Sequence, residues 1–167
     1  MKVYLASDHT GLKEKESLKN FLQEKGYDVQ DCGAYSYDKD DDYPDFIAKA
    51  AEEVSKDPSS IGFIFGGSGQ GEQMTANKLR GVRCALFYSE AKPITAIDIT
   101  GAKSDDSYEI IKLSRQHNDA NMLSFGVRFL NIEQILKAAE IFLNTPFLDE
   151  ARHVRRIDKI KAVENGQ

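Results

Sequence analysis

The stretch Ile61-Gly62-Phe63-Ile64-Phe65 is a continuous apolar run that leads into Gly66-Gly67-Ser68-Gly69-Gln70-Gly71-Glu72. Because polar and apolar residues do not alternate in this run, it predicts a strand covered on both faces, as in a parallel sheet. A helix from Glu72 to Leu79 is predicted after the glycines. This strand–turn–helix unit places backbone N–H groups at a helix N-terminus, an arrangement that suits an anion.

Strands and helices alternate on both sides of this unit. Short apolar runs predict further strands at 3–6, 27–33, 82–87 and 121–125. The amphipathic segments between them predict helices. The alternation predicts an α/β fold with a parallel sheet and right-handed crossovers. Because no internal repeat or linker is evident in the sequence, residues 1–167 are expected to form a single domain.

The composition is typical of a globular protein, with 41% hydrophobic and 29% charged residues in a chain of 167. A net charge of −5 disfavours nucleic acid as a partner, since that requires a basic surface. No run approaches the roughly 18 apolar residues of a membrane span, and the first apolar run is too short for a secretory signal. We therefore expect a cytoplasmic protein with no membrane partner, in which Cys32 and Cys84 are reduced and buried.

The glycine-rich turn leaves two interpretations open. Its Gly66-x-x-x-x-Gly71 spacing imitates a phosphate-binding P-loop, but Glu72 stands where that motif requires a lysine. The dinucleotide motif G-x-G-x-x-G does not occur. The turn is therefore either an anion-binding nest or a tight turn whose glutamate favours the helix dipole.

Histidines and arginines elsewhere in the chain are further candidates. His9 follows Asp8 at the end of the first strand, and His117 precedes the fifth. Loops that flank strands are where α/β proteins build their sites. Arg152 and Arg156 are four residues apart and share one face of a predicted helix. Two guanidinium groups on one face suit a phosphate dianion, although a solvated basic helix has the same pattern.

Two segments complete the chain. Residues 91–113 are irregular, with Pro93, Gly101 and scattered apolar residues, and predict a surface excursion followed by a helix from about Asp106. Long irregular segments in a compact domain are usually functional or disordered. Because this one ends just before His117, we expect it to lie beside the active-site mouth or a subunit interface. A basic helix is predicted at about 149–164.

Seven segments, in the same order and spanning nearly the whole chain, resemble the ribose-5-phosphate isomerase B family, which also includes the galactose-6-phosphate isomerase subunits. These segments are Ser7-Asp8-His9-Thr10-Gly11, Asp42-Tyr43-Pro44, Gly67-Ser68-Gly69-Gln70-Gly71-Glu72, Ala76-Asn77-Lys78, Arg115-Gln116-His117-Asn118-Asp119, Phe125-Gly126-Val127-Arg128 and Arg152-His153-Val154-Arg155-Arg156. The resemblance implies a three-layer, Rossmann-like αβα fold with five parallel strands in the order 2-1-3-4-5. It also implies a homodimer or tetramer whose sites are completed across a subunit interface.

The activity that the resemblance implies is the interconversion of an aldose phosphate and a ketose phosphate, typically ribose 5-phosphate and ribulose 5-phosphate, with neither a metal nor a cofactor. One base within reach of both C1 and C2 suffices to move the proton on one face of a cis-enediolate. One branch of the family uses a cysteine at the end of strand three, where this chain has Gly66. The other branch uses a glutamate at the position of Glu72, which is therefore the expected base.

The remaining roles also follow from the resemblance. Backbone N–H groups of the Gly69–Gly71 turn, with Ser68 nearby, are expected to stabilise the enediolate oxygen. Gly67, Gly69, Gln70 and Gly71 are expected to bind the substrate. Asp8 and His117 are expected to open the furanose ring. The residues expected to contact sugar hydroxyls are Tyr43 and Asn118, and those expected to hold the phosphate, some from a partner subunit, are His9, Arg128, Arg152 and Arg156.

Three alternatives remain. The substrate is a hexose 6-phosphate in some members of the family, such as allose or galactose 6-phosphate. A non-catalytic flavodoxin-like binding module has the same expected strand order but needs a hydroxyl-rich loop after strand one, where this chain has Asp8 and His9. Retention of Glu72 together with Asp8 and His117 argues against a non-catalytic subunit of a hetero-oligomer. The chain also departs from the family between Glu90 and Arg115, where it is longer than expected by well over a dozen residues.

Overall fold

The computed structural model describes residues 1–166, which form a parallel sheet with helices on both faces. The strands are β1 (Lys2–Ser7), β2 (Asp28–Asp31), β3 (Ile61–Gly66), β4 (Cys84–Phe87) and β5 (Met122–Gly126). The helices are α1 (Leu12–Glu24), α2 (Pro44–Lys56), α3 (Gln70–Ala76), α4 (Glu109–Asn118), α5 (Ile132–Asn144) and α6 (Ala151–Glu164), with a 3-10 turn at His9–Gly11. The three-layer fold predicted from the sequence is confirmed.

The strand order is β2-β1-β3-β5-β4, so the predicted order 2-1-3-4-5 is corrected at its last two positions. Every residue of β5 is buried, and β5 pairs with β3 on one side and β4 on the other. In β4 the two middle residues are only partly buried. The fully buried β5 therefore occupies the inner position, and the shorter β4 forms the edge of the sheet.

Each face of the sheet carries its own hydrophobic core. On one face, α2 and α3 pack over Tyr4, Ile64 and Met122. On the other face, α1, α4 and α5 cover the aromatic rings of Phe63 and Phe125, whose centroids lie 5.9 Å apart. Along the sheet, α2 and α3 connect a strand to one nearer β4, whereas α1 and α4 connect a strand to one nearer β2. Because the crossovers are right-handed, these two pairs of helices lie on opposite faces.

The register of the parallel strands decides where the site forms. Ser7 is paired with Phe65, and Gly66 with Gly126, so β1, β3 and β5 end at the same edge of the sheet. We call it the carboxyl edge, and the opposite one the amino edge. Ligands of open α/β sheets bind at the carboxyl edge, where neighbouring connections diverge to opposite faces. Here these are the connections after β1 and β3.

Residues 88–108 leave the end of β4 as an antiparallel excursion. The backbone N–H of Ala91 donates to the carbonyl of Ser107 at 3.0 Å, and that of Ile97 donates to Ala102 at 2.8 Å. The Asp98 carboxylate closes the tip by accepting hydrogen bonds from the backbone N–H groups of Thr100 and Ala102. The excursion then returns to the start of α4.

Both cysteines are buried and unpaired, as expected for reduced core thiols. Burial raises the pKa of Cys32 to about 11, so this thiol stays protonated at neutral pH. Within residues 1–166, the helices all fall short of the length and apolar character that a membrane span requires.

Candidate active site at the carboxyl edge

Glu72 is a buried carboxylate, 4% exposed, in the first turn of α3. It packs directly on Gly66, the last residue of β3, since a Cβ atom added to Gly66 would lie 1.9 Å from Oε1 of Glu72. A side chain at position 66 and the Glu72 carboxylate in its present position therefore exclude each other. The absence of a side chain at the end of β3 creates the space in which the expected base is held.

The surroundings of Glu72 favour its protonated form. Desolvation raises the pKa of this carboxyl above its ordinary value, and the negative charge of Asp8 acts in the same direction. A hydrogen bond from the Glu72 backbone N–H and the positive charge of Arg128 oppose the rise. Perturbation by burial together with a specific charged partner is typical of catalytic carboxylates.

The glycines of the turn permit two side chains to approach it closely. A Cβ atom on Gly71 would lie 2.6 Å from the hydroxyl oxygen of Tyr43, and one on Gly67 would lie 2.8 Å from Cζ of Arg128. Gly69 has a φ of +74°, a conformation that glycine adopts without strain. The turn thus brings Tyr43 and Arg128 to the same edge as Glu72.

Hydrogen bonds hold the turn to the end of the sheet. The buried hydroxyl of Ser124 donates to the carbonyl of Gly69 at 2.7 Å. The backbone N–H of Arg128 donates to the carbonyl of Gly67 at 3.1 Å. Ser68 lies in the turn, and its Oγ accepts a hydrogen bond from the backbone N–H of Gln70 at 3.4 Å. These contacts make the turn part of the rigid sheet edge.

Asp8 and His9 leave β1 beside this turn. Asp8 is 7% exposed and caps the 3-10 turn, since its Oδ1 accepts the backbone N–H of Thr10 at 2.9 Å. Nδ1 of His9 lies 2.5 Å from Oδ1 of Asp41, which the loop after β2 supplies. The carboxyl edge therefore carries two buried acids, Asp8 and Glu72, and a histidine bound to a third acid.

Asp8, His9 and Asp41 also form the one group of potential metal ligands found within residues 1–166, with ligand atoms inside 4.8 Å of one another. Two ligand atoms on a tetrahedral zinc ion are separated by about 3.3 Å, given metal–ligand bonds near 2.0 Å. The 2.5 Å between Nδ1 and Oδ1 is shorter than that and is instead the distance of a short hydrogen bond. The arrangement is an acid–histidine pair.

The other predicted residues lie at the amino edge. Because β4 and β5 are parallel, α4 runs back from the carboxyl edge, and His117 and Asn118 at its end come just before β5. The ring of His117 stacks on the ring of His153 from α6, with centroids 4.3 Å apart. Arg152 and Arg156 line a cavity of about 270 Å³ with these two histidines.

The tip of the 88–108 excursion forms another wall of this amino-edge cavity, through Ile97, Asp98 and Ile99. Nε of Arg152 forms an ion pair with Oε2 of Glu150 at 2.7 Å and donates a hydrogen bond to Nε2 of His153 at 3.1 Å. His153 therefore accepts a hydrogen bond as a neutral ring. Burial and the neighbouring His117 lower its pKa, which agrees with that state.

One chain thus brings together only part of the predicted site. The carboxyl edge collects these predicted residues: Asp8, His9, Tyr43, Gly67, Ser68, Gly69, Gln70, Gly71, Glu72 and Arg128. His117, Asn118, Arg152 and Arg156 form a second cluster at the opposite edge. The expected pairing of Asp8 with His117 does not occur within one chain, because the length of the sheet separates them.

Sequence reasoning missed Asp41 and Lys15. Asp41 belongs to an acidic run without periodicity, so nothing marked it as the acid that turns inward. Lys15 is 1% exposed, and its Nζ donates to Oδ1 of Asp31 at 2.6 Å and to the carbonyl of Ala34, which fixes the start of the loop that carries Asp41. Its place between Leu18 and Leu22 on one side and Leu12 on the other, at apolar helical spacing, was a signal that could have been used.

Known proteins match this chain over nearly its whole length. The family model described as Ribose/Galactose Isomerase matches residues 3–103 and 97–160. The chain is 40% identical over 164 residues to ribose-5-phosphate isomerase B of Mycolicibacterium paratuberculosis, covering 98% of this chain and 92% of that protein.

Solved structures agree with this result. The crystal structure of ribose-5-phosphate isomerase B from Mycoplasma genitalium with bound ribulose-5-phosphate has a TM-score of 0.85 at 35% identity, covering 99% of this chain and 97% of that one. The type B enzyme from Trypanosoma cruzi has a TM-score of 0.84 at 33% identity and covers 100% of both chains. The chain belongs to the ribose/galactose isomerase family.

Proposed function

We propose that this protein is an aldose–ketose isomerase that interconverts ribose 5-phosphate and ribulose 5-phosphate without a metal or cofactor. The family membership supports the reaction class, and the relatives named ribose-5-phosphate isomerase B support the pentose. The observation that carries the proposal is the Glu72 carboxylate, which is buried against Gly66 at the carboxyl edge.

Glu72 acts as the general base. It removes the proton from C2 of the open-chain aldose and returns it to C1 on the same face of a cis-enediolate, so that one carboxyl group serves as base and then as acid. Its raised pKa suits both steps, because proton transfer is most efficient when the pKa of the catalyst lies nearer the working pH. Gly66 keeps the carboxylate in position without a competing thiol.

The glycine turn stabilises the negative charge that develops on the enediolate oxygen. The turn is fixed before substrate binds by the contacts of Ser124 and Arg128 with its carbonyl groups. Preorganised backbone N–H groups between Gly67 and Gly71, with the Ser68 hydroxyl, need no rearrangement as the charge forms. Arg128 adds a positive charge beside Gly67.

A second copy of the chain completes the site. Asp8 and Glu72 supply one half, and His117 and Asn118 of another subunit supply the groups that open the furanose ring with Asp8 and contact the sugar hydroxyls with Tyr43. Arg152 and Arg156 of the same second subunit hold the phosphate together with His9 and Arg128. The opposite placement of the two clusters in one chain supports this homo-oligomer, because neither cluster alone contains both the base and the basic helix.

Glu72→Gln tests the proposal, because it keeps the size of the side chain and removes the base. We expect kcat for ribose 5-phosphate to fall by roughly 10²–10⁴-fold while KM changes little, since positioned proton transfer contributes about that much. Steady-state kinetics measure both quantities.

Glu109→Gln is the matched control. Glu109 is another buried carboxylate, 5% exposed, but it lies at the start of α4, where its Oε2 accepts a hydrogen bond from Ser104. Its substitution should leave kcat near that of the wild type. Near wild-type turnover in Glu72→Gln itself would show that the base is elsewhere.

A further inference from the structure

Asp41 is the acid of the 38–42 run that turns into the molecule. Its side chain is 7% exposed, whereas Asp38, Asp40 and Asp42 lie at the surface. Oδ1 of Asp41 accepts hydrogen bonds from both the backbone N–H of His9, at 3.2 Å, and Nδ1 of its ring, at 2.5 Å. The two bonds from one residue fix the position of the ring relative to the loop.

This geometry determines which ring atom of His9 is available. Because Nδ1 is occupied by Asp41, only Nε2 is left to meet a ligand. The imidazole remains 26% exposed, so it is accessible from the carboxyl edge. The ring of Tyr37 contacts it edge-on, with centroids 5.7 Å apart, and restricts its rotation. Both contacts come from the loop after β2.

The charges around His9 favour its protonated form. The hydrogen bond to Asp41 is the main cause that raises the pKa of His9, and the charges of Asp8, Asp41 and Asp38 act in the same direction. Burial opposes them. Asp8 lies on the same turn as His9, and the other two acids lie on the loop that packs against it, next to the Tyr37 ring.

We propose that Asp41 is a positioning residue that holds His9 with its Nε2–H directed to the phosphate group of the substrate. This inference rests on the proposed function, which assigns His9 to the phosphate. A sugar phosphate is a dianion above pH about 6. An unperturbed histidine, with a pKa of about 6.5, loses its positive charge over the same pH range. A neutral ring between Asp8 and Asp41 would leave two negative charges beside the phosphate. The paired, protonated ring offsets one of them and donates a charged hydrogen bond.

Asp41→Asn tests the role of the carboxylate, because the amide keeps the shape and an oxygen acceptor but removes the charge. NMR titration of the ring protons should show His9 losing its proton at a lower pH than in the wild type. KM for ribose 5-phosphate should rise roughly tenfold at pH 8, the size of one charged hydrogen bond, and less at pH 6, where a larger fraction of the ring is protonated in the variant. The turnover number should stay within about twofold, since Glu72 is untouched.

Asp38→Asn is the matched control. It removes the same charge from the same loop, but Asp38 makes no hydrogen bond to His9, and its carboxylate instead accepts the backbone N–H of Asp40. Because the charge of Asp38 is the smallest of the causes that raise the pKa of His9, the control should change KM far less than Asp41→Asn does at both pH values. An Asp41→Asn protein with wild-type His9 titration and wild-type KM would overturn the inference. So would a fall in kcat at unchanged KM, which would make His9 a proton-transfer group.

A measurement on the wild type keeps the test valid if Asp41→Asn does not fold. Addition of inorganic phosphate should raise the pKa of His9, and an unchanged titration would overturn the inference. The outcome for the proposed function is separate. A wild type without isomerase activity contradicts that function. An active wild type whose His9 responds to neither Asp41 nor phosphate contradicts the role of Asp41 and the assignment of His9 to the phosphate, but leaves the isomerase reaction untouched.

Discussion

Gly66 and Glu72 form the smallest unit of the candidate mechanism. The space that a Cβ atom on residue 66 would take is filled by the Glu72 carboxyl group. Gly66→Ala should therefore displace the carboxylate and lower kcat by about 10²-fold, the effect of roughly 1 Å of misplacement at a reacting group. Since the atoms that must move are the end of a flexible side chain, the melting temperature should change little. Kinetics and a thermal melt check the two parts of this prediction, and wild-type kcat in Gly66→Ala would contradict it.

The residues at this scale differ in how far the sequence predicted them. The sequence predicted Glu72, Asp8 and the glycines of the turn because they stand in motifs that resemble a known family. The sequence did not predict why residue 66 is a glycine, since the contact with Glu72 depends on how α3 starts after the turn. Asp41 was missed for a similar reason. In a run of exposed acids, only the folded loop determines which one meets a histidine.

At the scale of elements, the alternation of strands and helices predicted the layers but not the order of the last two strands. Both β4 and β5 are short apolar runs, and their periodicity is the same. The two strands differ in burial, because β5 pairs with a strand on both sides and β4 with a strand on only one. Burial depends on tertiary pairing, so the local sequence contains no direct signal for it.

The 88–108 excursion is the element whose role can be tested by a simple deletion. Its two ends are joined by the hydrogen bond from Ala91 to Ser107, and Ser104 donates to Glu109 at the start of α4, so residues 93–103 can be replaced by two glycines without removing these contacts. The change removes the wall formed by Ile97, Asp98 and Ile99 beside Arg152. We expect KM for ribose 5-phosphate to rise by about three- to tenfold, at most about 1.4 kcal/mol, while Glu72-dependent turnover is retained.

A milder variant separates the tip from the whole excursion. Asp98→Ala removes the acceptor of the Thr100 and Ala102 N–H groups and should change KM in the same direction by a smaller factor. Kinetics with pentose and hexose phosphates and light scattering make up the measurement. Unchanged kinetics on both substrates, together with an unchanged mass, would show that the excursion takes no part in the site or in assembly.

At the scale of the whole molecule, the direction of α4 separates the two clusters. Each parallel strand must be followed by a return to the amino edge, and His117 lies at the end of such a return while Glu72 lies at the start of another. Glu72 and His117 therefore meet only if the carboxyl edge of one subunit faces the amino edge of another. A two-fold dimer satisfies this condition at two sites simultaneously, since an isologous interface repeats every contact.

Mixing of two inactive variants tests this arrangement. Glu72→Gln and His117→Ala should each be inactive alone, since both sites of the homodimer carry the defect. In a heterodimer one site carries both substitutions and the other carries none, so co-expression in equal amounts should restore about a quarter of wild-type activity, half of the dimers being mixed with one intact site each. Glu72→Gln with Asp8→Asn is the control, because both residues belong to the carboxyl edge and every site in the mixed dimer retains a defect. No recovery in the test pair at equal expression would place the complete site within one chain, and recovery in the control would show that Asp8 and Glu72 of one chain serve different sites.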